Sequence, residues 1–348
     1  MTGGGARGDR RSDIVAAIKR CHAEHWPAVE RLIRDTVREI SPPGSLLVEM
    51  CDYHMETGGK RLRAIIPLLA APTLGLDPVR ARPFAAACEM LHNATLVHDD
   101  LQDGDTHRRD RETVWKRWSP AQAINLGDAM FYYAVALVGR LDFPAEIRAA
   151  VTHLAIERTV RVIDGQAREF LLKEDPAPSV ERYLRVVEGK TSGLFEVPLV
   201  GAAILAGAPP GTIAALETAA RHLGVVFQIQ DDVLDLYGAK GRGMRGSDIA
   251  EGKVSVLVAH CLASSDPARA ARLRAILDNP RDETTERDVE EADALFRAAG
   301  SLRLALDEIG RRERAVREAA DLRSNPALHD LLVGLADAFL EPIRSVVG

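Results

Sequence analysis

Apolar residues recur every three or four positions along almost the whole chain, as at Ile14, Ala17, Ile18 and Cys21. That is the spacing of one face of an α-helix, and the strict alternation of a half-buried strand is nearly absent. Clusters of glycine, proline and small polar residues interrupt the pattern at 41–44 (SPPG), 56–60, 74–78, 103–112, 141–144, 174–179, 207–211, 238–247 and 278–284. Such clusters end helices, so the intervals predict helices, commonly of twenty residues or more. No composition shift or long linker divides the sequence. Residues 13–348 therefore read as one all-α domain, a large helical bundle. Residues 1–12 (MTGGGARGDRRS) are basic but lack an apolar run behind them, and read as a flexible tail rather than a signal peptide. The longest apolar run, Val197 to Pro210, ends in paired prolines and is too short to span a membrane.

A hydrophobic content of 46% over 348 residues supplies a sizeable core. A net charge of -6 with no lysine and aromatic clustering argues against a nucleic-acid partner. Cys21, Cys51, Cys88 and Cys261 lie far apart in apolar surroundings, without CxxC spacing, and predict reduced thiols in a cytoplasmic protein.

The chemistry is concentrated in two acidic clusters. Asp99, Asp100 and Asp103 form a DDxxD pattern within HNATLVHDDLQD, and Asp231, Asp232 and Asp235 repeat it within FQIQDDVLDLYG. At average composition one such pattern arises by chance in roughly 8% of chains this long and two in well under about 1%, so a pair needs an explanation. On a helix, positions i and i+4 share a face, so Asp99 with Asp103 and Asp231 with Asp235 each predict a wall of two carboxylates. Facing walls would cage cations, and hard oxygen ligands with room for water and phosphate suit Mg²⁺. Candidate anion-binding residues lie elsewhere: Gly59, Lys60, Arg61 and Arg63 in GGKRLR, Arg108 and Arg109 after the first cluster, and Lys190 with Thr191 and Ser192. His92 falls on the helical face of Asp99, and Gln228 precedes Asp231 by three.

Taken in order, GGKRLR, HNATLVHDDLQD followed by RR, GKTSGLF, and FQIQDDVLD followed by GSDIAEGK resemble the trans-isoprenyl diphosphate synthase (polyprenyl synthetase) family. The resemblance covers about Leu46 to Leu257. It implies an all-α isoprenoid-synthase fold, usually a homodimer, that condenses isopentenyl diphosphate with an allylic diphosphate (dimethylallyl, geranyl or farnesyl). By the same resemblance Asp99, Asp103 and Asp231, with Asp100, Asp232 and Asp235, would bind three Mg²⁺ on the allylic diphosphate. Arg108, Lys190, Thr191 and Gln228 would hold that diphosphate. Gly59, Lys60, Arg63, His92 and Arg109 would hold isopentenyl diphosphate. Arg242 is the best match for a further basic residue after the second cluster, with Lys240 and Arg245 as rivals, and Lys253 matches the later EGK. In this family residues upstream of the first cluster set product length. Ala94 and Thr95 are small here, with Leu91 and Cys88 deeper. That argues against a farnesyl product and for geranylgeranyl diphosphate or a longer chain.

One departure concerns the loop after the paired arginines, where the family has Gly-x-Pro-Thr and this chain has DRET, with Asp110 and Glu112. A class I terpene cyclase also ionises a diphosphate with Mg²⁺, but its second motif is usually Asn/Ser/Glu-based and it needs no isopentenyl site. A non-catalytic partner subunit should have degraded aspartate clusters, and both clusters here are intact.

Overall fold

The computed structural model describes residues 3–238 and 245–347. The chain opens with α1 (Gly3–Ile40), α2 (Leu46–Met55), α3 (Leu62–Thr73) and α4 (Pro78–Gln102), then a two-residue hairpin of β1 (His107–Arg108) and β2 (Arg111–Glu112). It continues through α5 (Val114–Arg117), α6 (Pro120–Gly139), α7 (Ala145–Glu174), α8 (Val180–Lys190), α9 (Gly193–Leu205) and α10 (Pro210–Tyr237). After the second acidic cluster come α11 (Ser247–Ala250), α12 (Val256–Ser264), α13 (Pro267–Leu277), α14 (Glu286–Ala299), α15 (Ser301–Arg317) and α16 (Pro326–Val347). The all-α expectation holds among the described residues. None of these helices is long and apolar enough to cross a membrane.

Local chemistry sets the helix starts. Asp77 accepts a hydrogen bond from Val79 N at the head of α4, with Pro78 in the first turn, and Ser119 does the same for Gln122 N at α6. Thr285 and Asp288 close a reciprocal capping box on α14. Residues 3–12, expected as a flexible tail, instead form the opening turns of α1, since no proline interrupts the run before Pro27.

Three apolar clusters hold the bundle. One packs α1, α3, α4 and α6 around Phe84, Met90 and Leu126. A second joins α3, α9, α10 and α16 around Phe195 and Leu332, and a third gathers α8, α10, α12, α14 and α15 around Val226 and Phe296. Burial of this kind contributes about 25 cal/mol per Å² of apolar surface and is the main force holding the helices together. The cavity lies between α4, α7, α8, α9 and α10. Helices α7 and α8 approach so closely that a β-carbon on Gly165 would collide with the backbone of Lys190, which fixes the lysine over the cavity mouth.

Candidate active site

A cavity of about 720 Å³ brings together Asp99 and Asp103 from α4, Asp231 and Asp232 from α10, and Asp248 from α11. Arg63, His92, Arg108, Lys190, Thr191, Gln228 and Lys253 share its wall. Residues more than a hundred positions apart thus converge, and below them the lining turns apolar with Thr95, Phe131, Val162, Phe170 and Leu194.

The six cluster aspartates are not equivalent. Burial pushes the Asp99 carboxyl up to about 6 against the nearby Lys190 ammonium, with Asp103 and Glu169 adding to the rise. Asp103, at the end of α4, receives Lys253 Nζ at 3.1 Å. Asp231 is exposed at the cavity rim. Asp100 and Asp235 do not line the cavity, which corrects the expectation that all six face metal, whereas Asp232 lines it but is engaged by three donors. Asp100 turns away from the cavity, accepting from Arg108 Nε at 2.7 Å with a second guanidinium nitrogen at 2.5 Å. Asp232 accepts from Tyr183 OH at 2.6 Å, Val256 N at 2.9 Å and Gln228 Nε2 at 3.0 Å. Asp235 caps α11, taking Ser247 N at 3.1 Å, Ser247 Oγ at 2.5 Å and Asp248 N at 3.1 Å. The second two-carboxylate wall is therefore not formed, because α11 claims its lower member.

The cations are similarly divided. Although burial works against its charge, Lys190 is held above the usual lysine range by Glu169, whose Oε2 lies 2.6 Å from Nζ, and by Asp99. Lys253 is partly buried, yet Asp103, Asp248 and Glu251 hold its pKa well above that of a free lysine. Thr191 donates to Gln228 Oε1 at 2.8 Å, joining the α8 terminus to α10. Arg63 lies over Phe195 and Phe227 at 4.2 and 5.4 Å, and burial lowers its pKa to about 10. Arg63 and His92 both line the cavity, and Arg63 Nε and His92 Nδ1 are buried without a hydrogen-bond partner.

Other expected residues stand apart. Arg61 is structural: it adopts a left-handed backbone before α3, pairs with Glu89 at 3.3 Å, bonds Met55 O and stacks over Trp26. Glu89 also accepts from Ala64 N at 3.2 Å, so the chain's own carboxylate occupies the start of α3, where a substrate anion was expected. Lys60 is exposed beside Gly59 and does not line the cavity. Gly59, at φ 118°, accommodates Arg109, whose guanidinium bonds Gly58 O where a β-carbon on Gly59 would collide with it. Arg109 and Asp110 are left-handed (φ 52° and 64°) and form the tight turn of the β1–β2 hairpin. This is how DRET replaces a glycine and proline loop: aspartate tolerates that backbone region, and Glu112 O accepts from Tyr53.

Lys240 and Arg242 lie outside the described residues. Arg245 is turned to Leu236 O and Asp293, away from the cavity. Thr95 lines the cavity, whereas Ala94 lies in the packed core and Leu91 and Cys88 line a separate deeper void.

Sequence reasoning missed Glu169, Asp248 and Arg281. Burial raises the Asp248 carboxyl well above the normal range, beside Asp235 and Asp232. Arg281 reaches Asp105 at 2.8 Å, Glu251 at 3.0 Å and Asp103 O at 3.2 Å, strapping the loop after α13 onto the first acidic cluster. Asp248 was visible inside GSDIAEGK, but no spacing rule singled out Glu169 or Arg281.

The cavity-facing carboxylates of Asp99, Asp103 and Asp231 offer oxygen donors, and this fits Mg²⁺. Among the described residues no three His, Cys, Asp or Glu side chains are gathered closely enough to hold a metal alone.

Residues 44–295 match the polyprenyl synthetase family. The chain is 35% identical over 298 residues to a geranylgeranyl diphosphate synthase of Mycobacterium tuberculosis, covering 82% of each. It is 30% identical over 255 residues to an octaprenyl diphosphate synthase of Haemophilus influenzae, covering 72% of this chain and 76% of that one. The fold superposes on a geranylgeranyl pyrophosphate synthetase from Pyrococcus horikoshii with a TM-score of 0.83 at 31% identity, covering 94% and 98% of the two chains.

Proposed function

The chain belongs to the polyprenyl synthetase family, and on that premise we propose that this trans-prenyltransferase condenses isopentenyl diphosphate with an allylic diphosphate to give geranylgeranyl diphosphate. One observation carries the reading: carboxylates from both DDxxD clusters and the cations Arg108, Lys190 and Lys253 surround the mouth of one apolar cavity. A substrate with a diphosphate head and a hydrocarbon tail matches that polarity end to end.

Asp99, Asp103 and Asp231 would hold Mg²⁺, which supplies Lewis-acid stabilisation of the leaving diphosphate. Arg108, Lys190, Thr191 and Gln228 bind and orient the allylic diphosphate, with Arg108 fixed from behind by Asp100. Arg63 and His92 would receive the isopentenyl diphosphate from the cavity wall, and Gly59, Lys60 and Arg109, which do not line the cavity, would approach it from the adjoining loops. The bond between allylic carbon and diphosphate oxygen breaks, the isopentenyl double bond attacks the cation, and a proton leaves to the released diphosphate. Apolar walls below the mouth keep water from the cation.

Small Thr95 on the cavity wall supports a product longer than farnesyl. Exposed Ile156, Val160, Ile163 and Leu171 on α7, with Ile124 and Tyr132 on α6, form an apolar stripe that supports a homodimer. Four unpaired, buried cysteines suit a reducing cytoplasm.

The test supplies purified protein with Mg²⁺, labelled isopentenyl diphosphate and dimethylallyl, geranyl or farnesyl diphosphate. Labelled prenyl diphosphates longer than the primer are expected, and no condensation with any primer would refute the reading. Chromatography of the dephosphorylated products measures their length.

A further inference from the structure

Below Asp99, α4 presents Thr95 to the main cavity, then Leu91 and Cys88 to a second void of only about 10 Å³, room for about one water. Val162 of α7 and Leu194 of α9 line both spaces, so these two side chains are the partition between them. The partition is held tightly: a β-carbon on Gly193 would lie 2.8 Å from Val162 Cγ2.

On the far side of the void stands Arg158, 4% exposed. Its guanidinium lies 2.5 Å from Glu196 Oε2 and 2.6 Å from Glu217 Oε1, and Glu196 is itself 2% exposed. A hydrocarbon tail pushed to this depth would have to displace a buried ion pair that Glu157 and Arg221 also brace, at 2.8 Å from Arg158 and 3.6 Å from Glu196. Asp99 to Cys88 on α4 and Glu169 to Arg158 on α7 each run about 16 Å along a helix, so both walls end at the same depth.

We propose that Val162 and Leu194, backed by the Arg158–Glu196 ion pair, form the floor that stops product growth. The proposal rests on the prenyl synthase reading above and assigns chain length to the wall opposite α4. Cutting Val162 and Leu194 to alanine removes two and three carbons, together about one isoprenyl unit.

Val162→Ala/Leu194→Ala protein, given farnesyl diphosphate, labelled isopentenyl diphosphate and Mg²⁺, is expected to lengthen its main product by one isoprenyl unit. Val162→Phe is expected to shorten it. The single Leu194→Ala variant and Val162→Phe carry the same test should the double variant not fold. Unchanged product length at retained condensation rate overturns the floor. Products of the double variant that run several units longer overturn the role of Arg158 as the stop. Absence of condensation by the unaltered protein would instead count against the prenyl synthase reading.

Discussion

Lys253 Nζ lies 3.1 Å from Asp103 Oδ2, so a residue following the second acidic cluster holds the last carboxylate of the first. An ion binding at Asp103 must take the place of that ammonium. Asp103→Asn is expected to lower kcat about 100-fold or more and to raise the Mg²⁺ concentration giving half-maximal rate. EDTA should abolish condensation and added Mg²⁺ restore it. Asp235→Ala should behave differently: it removes the acceptor for Ser247 N and Asp248 N and weakens the start of α11 by about 1 kcal/mol, lowering the melting temperature more than it changes the Mg²⁺ requirement. A Mg²⁺ titration of both variants beside thermal melts separates the two roles.

Thr95 is the residue of α4 that faces the tail directly below Asp99, and its hydroxyl bonds His92 O at 2.8 Å. Thr95→Phe fills that part of the cavity. The main product should become at least one isoprenyl unit shorter, with the condensation rate on dimethylallyl diphosphate within about tenfold of the unaltered protein. Product chromatography reads the change directly.

Burial lowers the pKa of His54 to about 3, and nearby Arg108 adds to this, while Asn93 Oδ1 lies 3.2 Å from its Nε2. The folded imidazole is therefore neutral, whereas the unfolded one takes up a proton near pH 6.5. Its contribution to stability is complete above pH 6.5 and declines as pH falls toward 3, by at most about 1.4 kcal/mol per pH unit. His54→Gln removes this linkage, so its stability difference from the unaltered protein should shift steadily in the variant's favour between pH 6.5 and 5. Urea melts at half-unit pH intervals check it, and a constant difference would contradict a buried neutral His54.

Val160 is 58% exposed in the middle of the apolar stripe on α7. Val160→Glu places a charge where a second copy would pack, and sedimentation should show a shift from dimer to monomer. Phe131 and Ile163 line the cavity from the same two helices as that stripe, so monomers should also lose about tenfold or more in kcat.

Helix positions were readable because prolines and glycines bracket them: SPPG ends α1, and LGLDP leads into α4. Other breaks carry at most an isolated glycine or proline, among them these two. Thr191 and Ser192 separate α8 from α9 with only Gly189 and Gly193 flanking, and Gly300 alone, at φ 74°, parts α14 from α15. Helices predicted to exceed twenty residues are therefore shorter there. At the site, helical spacing expected His92 near the face of Asp99, and both line the cavity. It could not reveal that Arg108 claims Asp100 or that Ser247 claims Asp235, because those partners come from outside the helix. Spacing along one element orders its faces; which oxygens stay available depends on what else folds against them.

The β1–β2 hairpin bears on the reaction in one more way. Arg108 is drawn inward to Asp100, and the next residue, Arg109, reaches across to Gly58. Were Arg108 and Arg109 to hold the two diphosphates as proposed, this turn without slack would act as a ruler between the head groups. Inserting one residue into that turn would alter the gauge while leaving every ligand in place, and the two substrates would bind yet miss each other.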